Sequence, residues 1–147
     1  MNLLSDADVS FGRLFDAGEL ASASFDHRAH LRLAYVHLAA HGPDSAADTF
    51  RSSLQGFLSH HQIDPAKFHE TLTQAWLQAV WYFMQRYRDT ANSDEFLAKS
   101  QVLHDPKVML THYSREVLFG EEARRQFVVP NLDPIPRGAT PSSARVT

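Results

Sequence analysis

Cysteine is absent from this chain of 147 residues. That excludes disulfides, cysteine-ligated zinc, iron–sulfur clusters and a thiol nucleophile. Glycine is scarce, at six residues, and the seven prolines gather near boundaries and toward the C-terminus, which speaks for helices over strands. Lysine is scarcer still, with three residues, and the formal charge is −3. No broad basic field is present to hold nucleic acid or an anionic membrane surface, and a helix-turn-helix reading lacks its basic recognition helix. No run approaches the ~18 apolar residues of a membrane span. The stretch from Met1 to Asp6 has neither the basic start nor the apolar core of a secretory signal, so a cytoplasmic protein is expected. Against these absences stands histidine, with nine residues.

The pattern predicts an all-α, single-domain helical bundle over residues 1–136. Pro130, Pro134, Pro136 and Pro141 sit among polar residues, and the segment 137–147 is expected to be extended or disordered and dispensable for folding. Ser5 or Asp6 caps a first helix to about Ala17, with Phe11, Leu14 and Phe15 on one side. Asp26 caps a second from His27 to His41, ended by Gly42-Pro43, and a third runs to about His60 with Phe50, Leu54 and Phe57 on one face. Asp64-Pro65 is an N-cap followed by proline at the first helical position, which predicts a long central helix over about 65–89. Its stripe is Leu72, Trp76, Val80, Phe83 and Tyr87. Shorter helices are expected from Ser93, from Asp105 and from Ser114 to Phe127.

Short connections at Gly42-Pro43 and His61–Asp64 make helices two, three and four antiparallel in turn. Histidines far apart in sequence thereby meet at one end: His27 and His30 in the first turn of helix two, His60 and His61 at the end of three, His69 early in four. A pair at i and i+3, joined by imidazoles of neighbouring helices, is how bundles build metal sites. His27, His30 and His69 are therefore the candidate ligands of a divalent transition metal (iron, zinc, copper or nickel), with His61 a possible addition. Glu70 is the candidate catalytic base for bound water. Trp76, nearly two turns below His69, is expected to line the cavity, and His112 with Tyr113 to touch substrate if the C-terminal helices fold back. The blander reading is open for each of these: a lone histidine is more often a hydrogen-bonded core residue, and Glu70 an ordinary acidic residue in a helix's first turn. His37, His41 and His104 are expected at the surface or at helix ends. Two helix N-termini with Arg28 and Arg32 offer an anion pocket without metal. A serine hydrolase has no nucleophile elbow here to carry it.

The segments Phe25–Leu31 (F-x-H-x-x-H-L), Lys67–Thr71 (K-x-H-E-T) and His112-Tyr113-Ser114 resemble those of a family of short, all-helical bacterial proteins of unassigned function. The resemblance spans about Phe11 to Pro136 and singles out the same histidines without supplying an activity. The expected function is a small metal-dependent enzyme, hydrolase, lyase or oxygenase, acting on a small polar or anionic molecule. The alternative is a non-catalytic module that binds a small ligand or a protein partner at the same end.

Overall fold

The computed structural model describes residues 1–136; the expectation for 137–147 lies outside them. Among the described residues the fold is all-helical, without a strand. Helix α1 (Asp6–Asp16) opens with a reciprocal capping box between Ser5 and Asp8. It buries Phe11 and Phe15, while Leu14 turns outward. Helix α2 (His27–His41) is capped by the Asp26 carboxylate on the Ala29 N–H. Helix α3 (Pro43–His60) follows after the single residue Gly42, whose φ of 79° is one that L side chains rarely adopt. A connection that short forces the antiparallel reversal that the sequence implies. Phe50, Leu54 and Phe57 are buried, and Phe57 stacks on Phe15 with ring centroids 4.8 Å apart.

The central helix is shorter than its sequence pattern suggests. Asp64 does cap and Pro65 does initiate, but only a 3₁₀ turn over Pro65–Lys67 forms. Phe68 is extended, and α4 (Glu70–Arg86) starts afresh with His69 as its N-cap. Its 17 residues fall just short of the 18 in α3, so α4 is central without being the longest helix. Trp76, Val80 and Met84 are buried; Leu72, Phe83 and Tyr87 are half-buried.

The last third of the chain is a strap of short pieces. Helix α5 (Ser93–Lys99) leads into 3₁₀ turns at Gln101–His104 and Val108–Thr111. Helices α6 (Arg115–Leu118) and α7 (Glu121–Arg125) replace the continuous helix expected from Ser114. Ser114 caps as expected, and the break falls at Gly120, where a Cβ would lie 3.0 Å from the Glu116 carbonyl oxygen. The strap returns across the start of α4. The Thr71 hydroxyl donates to the Gln126 carbonyl and accepts from the Val128 N–H, and the Arg124 guanidinium reaches the Ala66 carbonyl. Among the described residues no helix is long and apolar enough to cross a membrane.

A candidate ligand cavity at the histidine-rich end

The N-termini of α2 and α4 and the C-terminal turns of α3 enclose a cavity of about 370 Å³. Its walls are mostly apolar, with Phe25, Phe57, Phe68 and Trp76 supplying rings and Leu54, Leu58 and Leu72 the rest. His27, His30 and His69 also border it, and Asp26 and Lys67 stand at its exposed rim. The topology thus delivers the three expected histidines to one place.

Their nitrogens are committed very differently. His69 donates Nε2–H to the Leu118 carbonyl at 2.7 Å and accepts the Leu72 N–H on Nδ1 at 3.1 Å. Both nitrogens are occupied, so His69 is the cap of α4 and the anchor of the strap, with no lone pair left for a metal. Burial disfavours its charged form and lowers its pKa, outweighing the opposite pull of the Leu118 bond. His27 gives Nε2–H to the Leu103 carbonyl at 2.8 Å, which leaves Nδ1 as an acceptor in the neutral ring. Its ring meets the Trp76 indole edge-on, centroids 4.8 Å apart.

The His30 ring makes no hydrogen bond among the described residues; its backbone N–H donates to the Asp26 carbonyl. His30 is half-buried, and its ring lies 5.9 Å from Phe25 and 5.4 Å from Phe50, centroid to centroid. Burial, with the adjacent His27 pushing the same way, takes its pKa down to about 4. His30 is therefore neutral at pH 7, and offers the cavity one N–H and one lone pair.

The remaining expected site residues lie elsewhere. Glu70 turns away from the cavity and is clasped by Arg51, Nε to Oε1 at 2.8 Å and Nη2 to Oε2 at 2.6 Å, with Gln74 also donating to Oε2. The Arg51 hydrogen bonds hold the Glu70 carboxyl below its ordinary pKa, against the effect of its burial. A carboxylate so stabilised is a poor proton acceptor, so the catalytic-base assignment loses its geometric basis. Tyr113 is fully buried and donates its hydroxyl to the Val128 carbonyl; His112 donates Nδ1–H to the Asp133 carbonyl. Both fasten the strap to itself and neither borders the cavity. The strap does fold back, but it brings Leu118 and Gln126 to α4 in their place. His61 packs against Phe57 at 4.4 Å between centroids, with a buried Nε2 that finds no partner among the described residues, and stands outside the cavity wall. Trp76 borders the cavity as expected. Among the described residues no group of three or more histidine, aspartate or glutamate side chains comes together to hold a metal ion.

His37, expected at the surface, is instead buried, its Nδ1–H given to Thr49 Oγ1 at 2.8 Å. A signal for this was present: His37 lies three residues beyond Ala34 and seven beyond His30, on the inward face of α2. It borders a larger groove of about 470 Å³ with Asp16, His41 and Asp48. That groove's polar groups largely satisfy one another, Ser53 on Asp16 and Arg51 on Asp48 as well as His37 on Thr49. Lys67 was missed as a rim residue, and no signal in the sequence pairs Arg51 with Glu70. Compared with protein-family models, curated proteins and solved structures, the chain matches none.

Proposed function

We propose that the chain is a small-molecule-binding module whose site is the cavity between the starts of α2 and α4. His30 is the observation that carries this reading. A polar ring that the protein leaves without a hydrogen-bond partner, set in an apolar wall, is how ligand pockets orient what they bind. Net hydrogen bonds of ~1 kcal/mol each become available to a molecule that replaces water there. The two longer segments of the bacterial resemblance, Phe25–Leu31 and Lys67–Thr71, are also the segments that build this cavity. The reading assigns binding to the site and leaves catalysis without a residue.

A divalent metal is the second reading, and one observation favours it. His27 donates its Nε2–H to a backbone carbonyl, the arrangement that orients a ligating imidazole and leaves its other nitrogen for a cation. With His30 this supplies two of the three protein ligands common at catalytic zinc, so water or substrate must complete the shell. Ligand-observed NMR with a fragment set of mixed charge, run with and without added zinc, tests both readings. Binding is expected without metal, and is expected to be lost in Leu58→Trp, which fills the cavity, while the melting temperature stays within a few degrees. Hits that appear only with zinc, and vanish in His27→Ala, overturn the first reading in favour of the second. No hit that responds to Leu58→Trp overturns both.

A further inference from the structure

Three features of this cavity bear on what fits it, and the inference they carry rests on the binding reading above. The first is shape. About 370 Å³ is near the small end of ligand pockets, enough for one or two fused rings. Phe25, Phe57, Phe68 and Trp76 make up much of the wall, and aromatic rings pair favourably with further rings in tilted or offset contacts.

The second is the hydrogen-bonding balance of the wall. His27 has already given its N–H to Leu103 and contributes only the Nδ1 lone pair. His30 contributes one lone pair and one N–H, because its ring is neutral. Between these two histidines lone pairs outnumber N–H groups, so a donor on the ligand finds an acceptor at either ring. The third is charge. Lys67 forms no ion pair among the described residues, but Asp26 stands at the same rim with only Oδ1 engaged, on the Ala29 N–H. One ammonium and one carboxylate at the mouth offset each other, so the rim gives neither an anion nor a cation a net advantage.

We propose that the cavity takes an aromatic molecule without net charge that carries a hydrogen-bond donor on its ring, such as a phenol or an azole N–H, and that His30 receives that donor. Indole is the simplest probe. Benzothiophene has the same outline with sulfur in place of N–H, and indole-3-acetate adds a negative charge while keeping the donor.

Isothermal titration calorimetry of the full chain with these three compounds is the test. Indole is expected to bind at least ~10-fold more tightly than benzothiophene, the ratio that a hydrogen bond of ~1.4 kcal/mol confers. Indole-3-acetate is expected to bind no more tightly than indole. In His30→Phe the advantage of indole over benzothiophene should disappear; in His30→Gln, which keeps an acceptor, part of it should survive. The second variant keeps the test decisive if the first does not fold. Equal affinity for indole and benzothiophene overturns the assignment, as does a preference of tenfold or more for indole-3-acetate. Should the mixed fragment set yield cavity ligands while indole does not bind, the class is wrong and the binding reading stands. Failure of every compound in both sets removes the two together.

Discussion

His30 and His69 border one cavity and differ in what their nitrogens hold. From the sequence they look alike, each near a helix start on an apolar face. What separates them is made by distant backbone: the Leu118 carbonyl that takes the His69 proton arrives along the strap, 49 residues later. Residue type and rough place were legible; the commitment of each lone pair was not, because no local pattern encodes it. Glu70 shows the same limit. Its partner Arg51 stands 19 residues earlier on α3, and the pair is set by the packing of α3 against α4. Removing the charge in Glu70→Gln weakens two charge-assisted hydrogen bonds to Arg51 and leaves that guanidinium with Asp48 alone. Hydrogen bonds to charged groups contribute ~1.5–3 kcal/mol in good geometry, and Arg51 is partly solvated, so a loss of about 1–2 kcal/mol is expected. Urea denaturation measures it. Indole affinity should not change, since Glu70 does not border the cavity. A hundredfold loss of a ligand-dependent activity, with stability intact, would restore Glu70 to a catalytic role.

At the scale of elements, the rules for starting a helix worked locally and were overruled globally. Asp64-Pro65 caps and initiates as its chemistry dictates, yet the helix stops after one 3₁₀ turn, because Phe68 is extended and turned to the cavity wall. Histidine is an uncommon cap, so the true start at Glu70 had no sequence signature; the His69 Nδ1 accepting from Leu72 N–H creates it. The apolar stripe was the firmer guide, since Trp76, Val80 and Met84 are buried as their spacing implies. Trp76 is 5% exposed, seven residues into α4, with His27 against its edge. Trp76→Ala is therefore expected to cost ~3–5 kcal/mol, the usual range for truncating a core tryptophan. It would also open the cavity toward the core. Chemical denaturation monitored by far-UV circular dichroism gives the first quantity; a loss below ~1 kcal/mol would mean that the indole is held at the surface.

For the whole molecule, the up-down-up order of α2, α3 and α4 was readable from the short connections at Gly42-Pro43 and His61–Asp64, although α4 itself starts only at Glu70. That order brings His27, His30 and His69 to one end. The strap was not readable, because pieces of four and five residues are too short to show a period. Together the fold produces a molecule that keeps several imidazoles neutral, and this has a consequence for acid stability. His30 and His37 both have their pKa lowered to about 4 by burial, with neighbouring histidines adding to the effect, and at His37 the Asp16 carboxylate opposing it. His69 shifts in the same direction. In the unfolded chain each ring protonates near ~6.5. Between that value and about 4 the unfolded state therefore binds protons that the native state refuses, and stability rises with pH. The contribution is complete above ~6.5 and is lost as pH falls toward about 4, where the folded rings also take up a proton. Glu70 and Asp8 add a later loss, below the ordinary carboxyl range. Burial tends to raise the Asp8 pKa, but hydrogen bonds from Ser93, Ser5 and Arg32 lower it further, as Arg51 does for Glu70. The melting temperature is thus expected to be level from pH 8 to pH 7 and to fall steadily from about pH 6.5 to pH 4, before most carboxylates titrate. His37→Asn keeps a donor near Thr49 but cannot be protonated. Combined with His30→Phe, it should remove much of the slope in that window while leaving the drop below pH 4. Equal slopes in the double variant and the parent would show that the buried imidazoles do not set the acid limit of this fold.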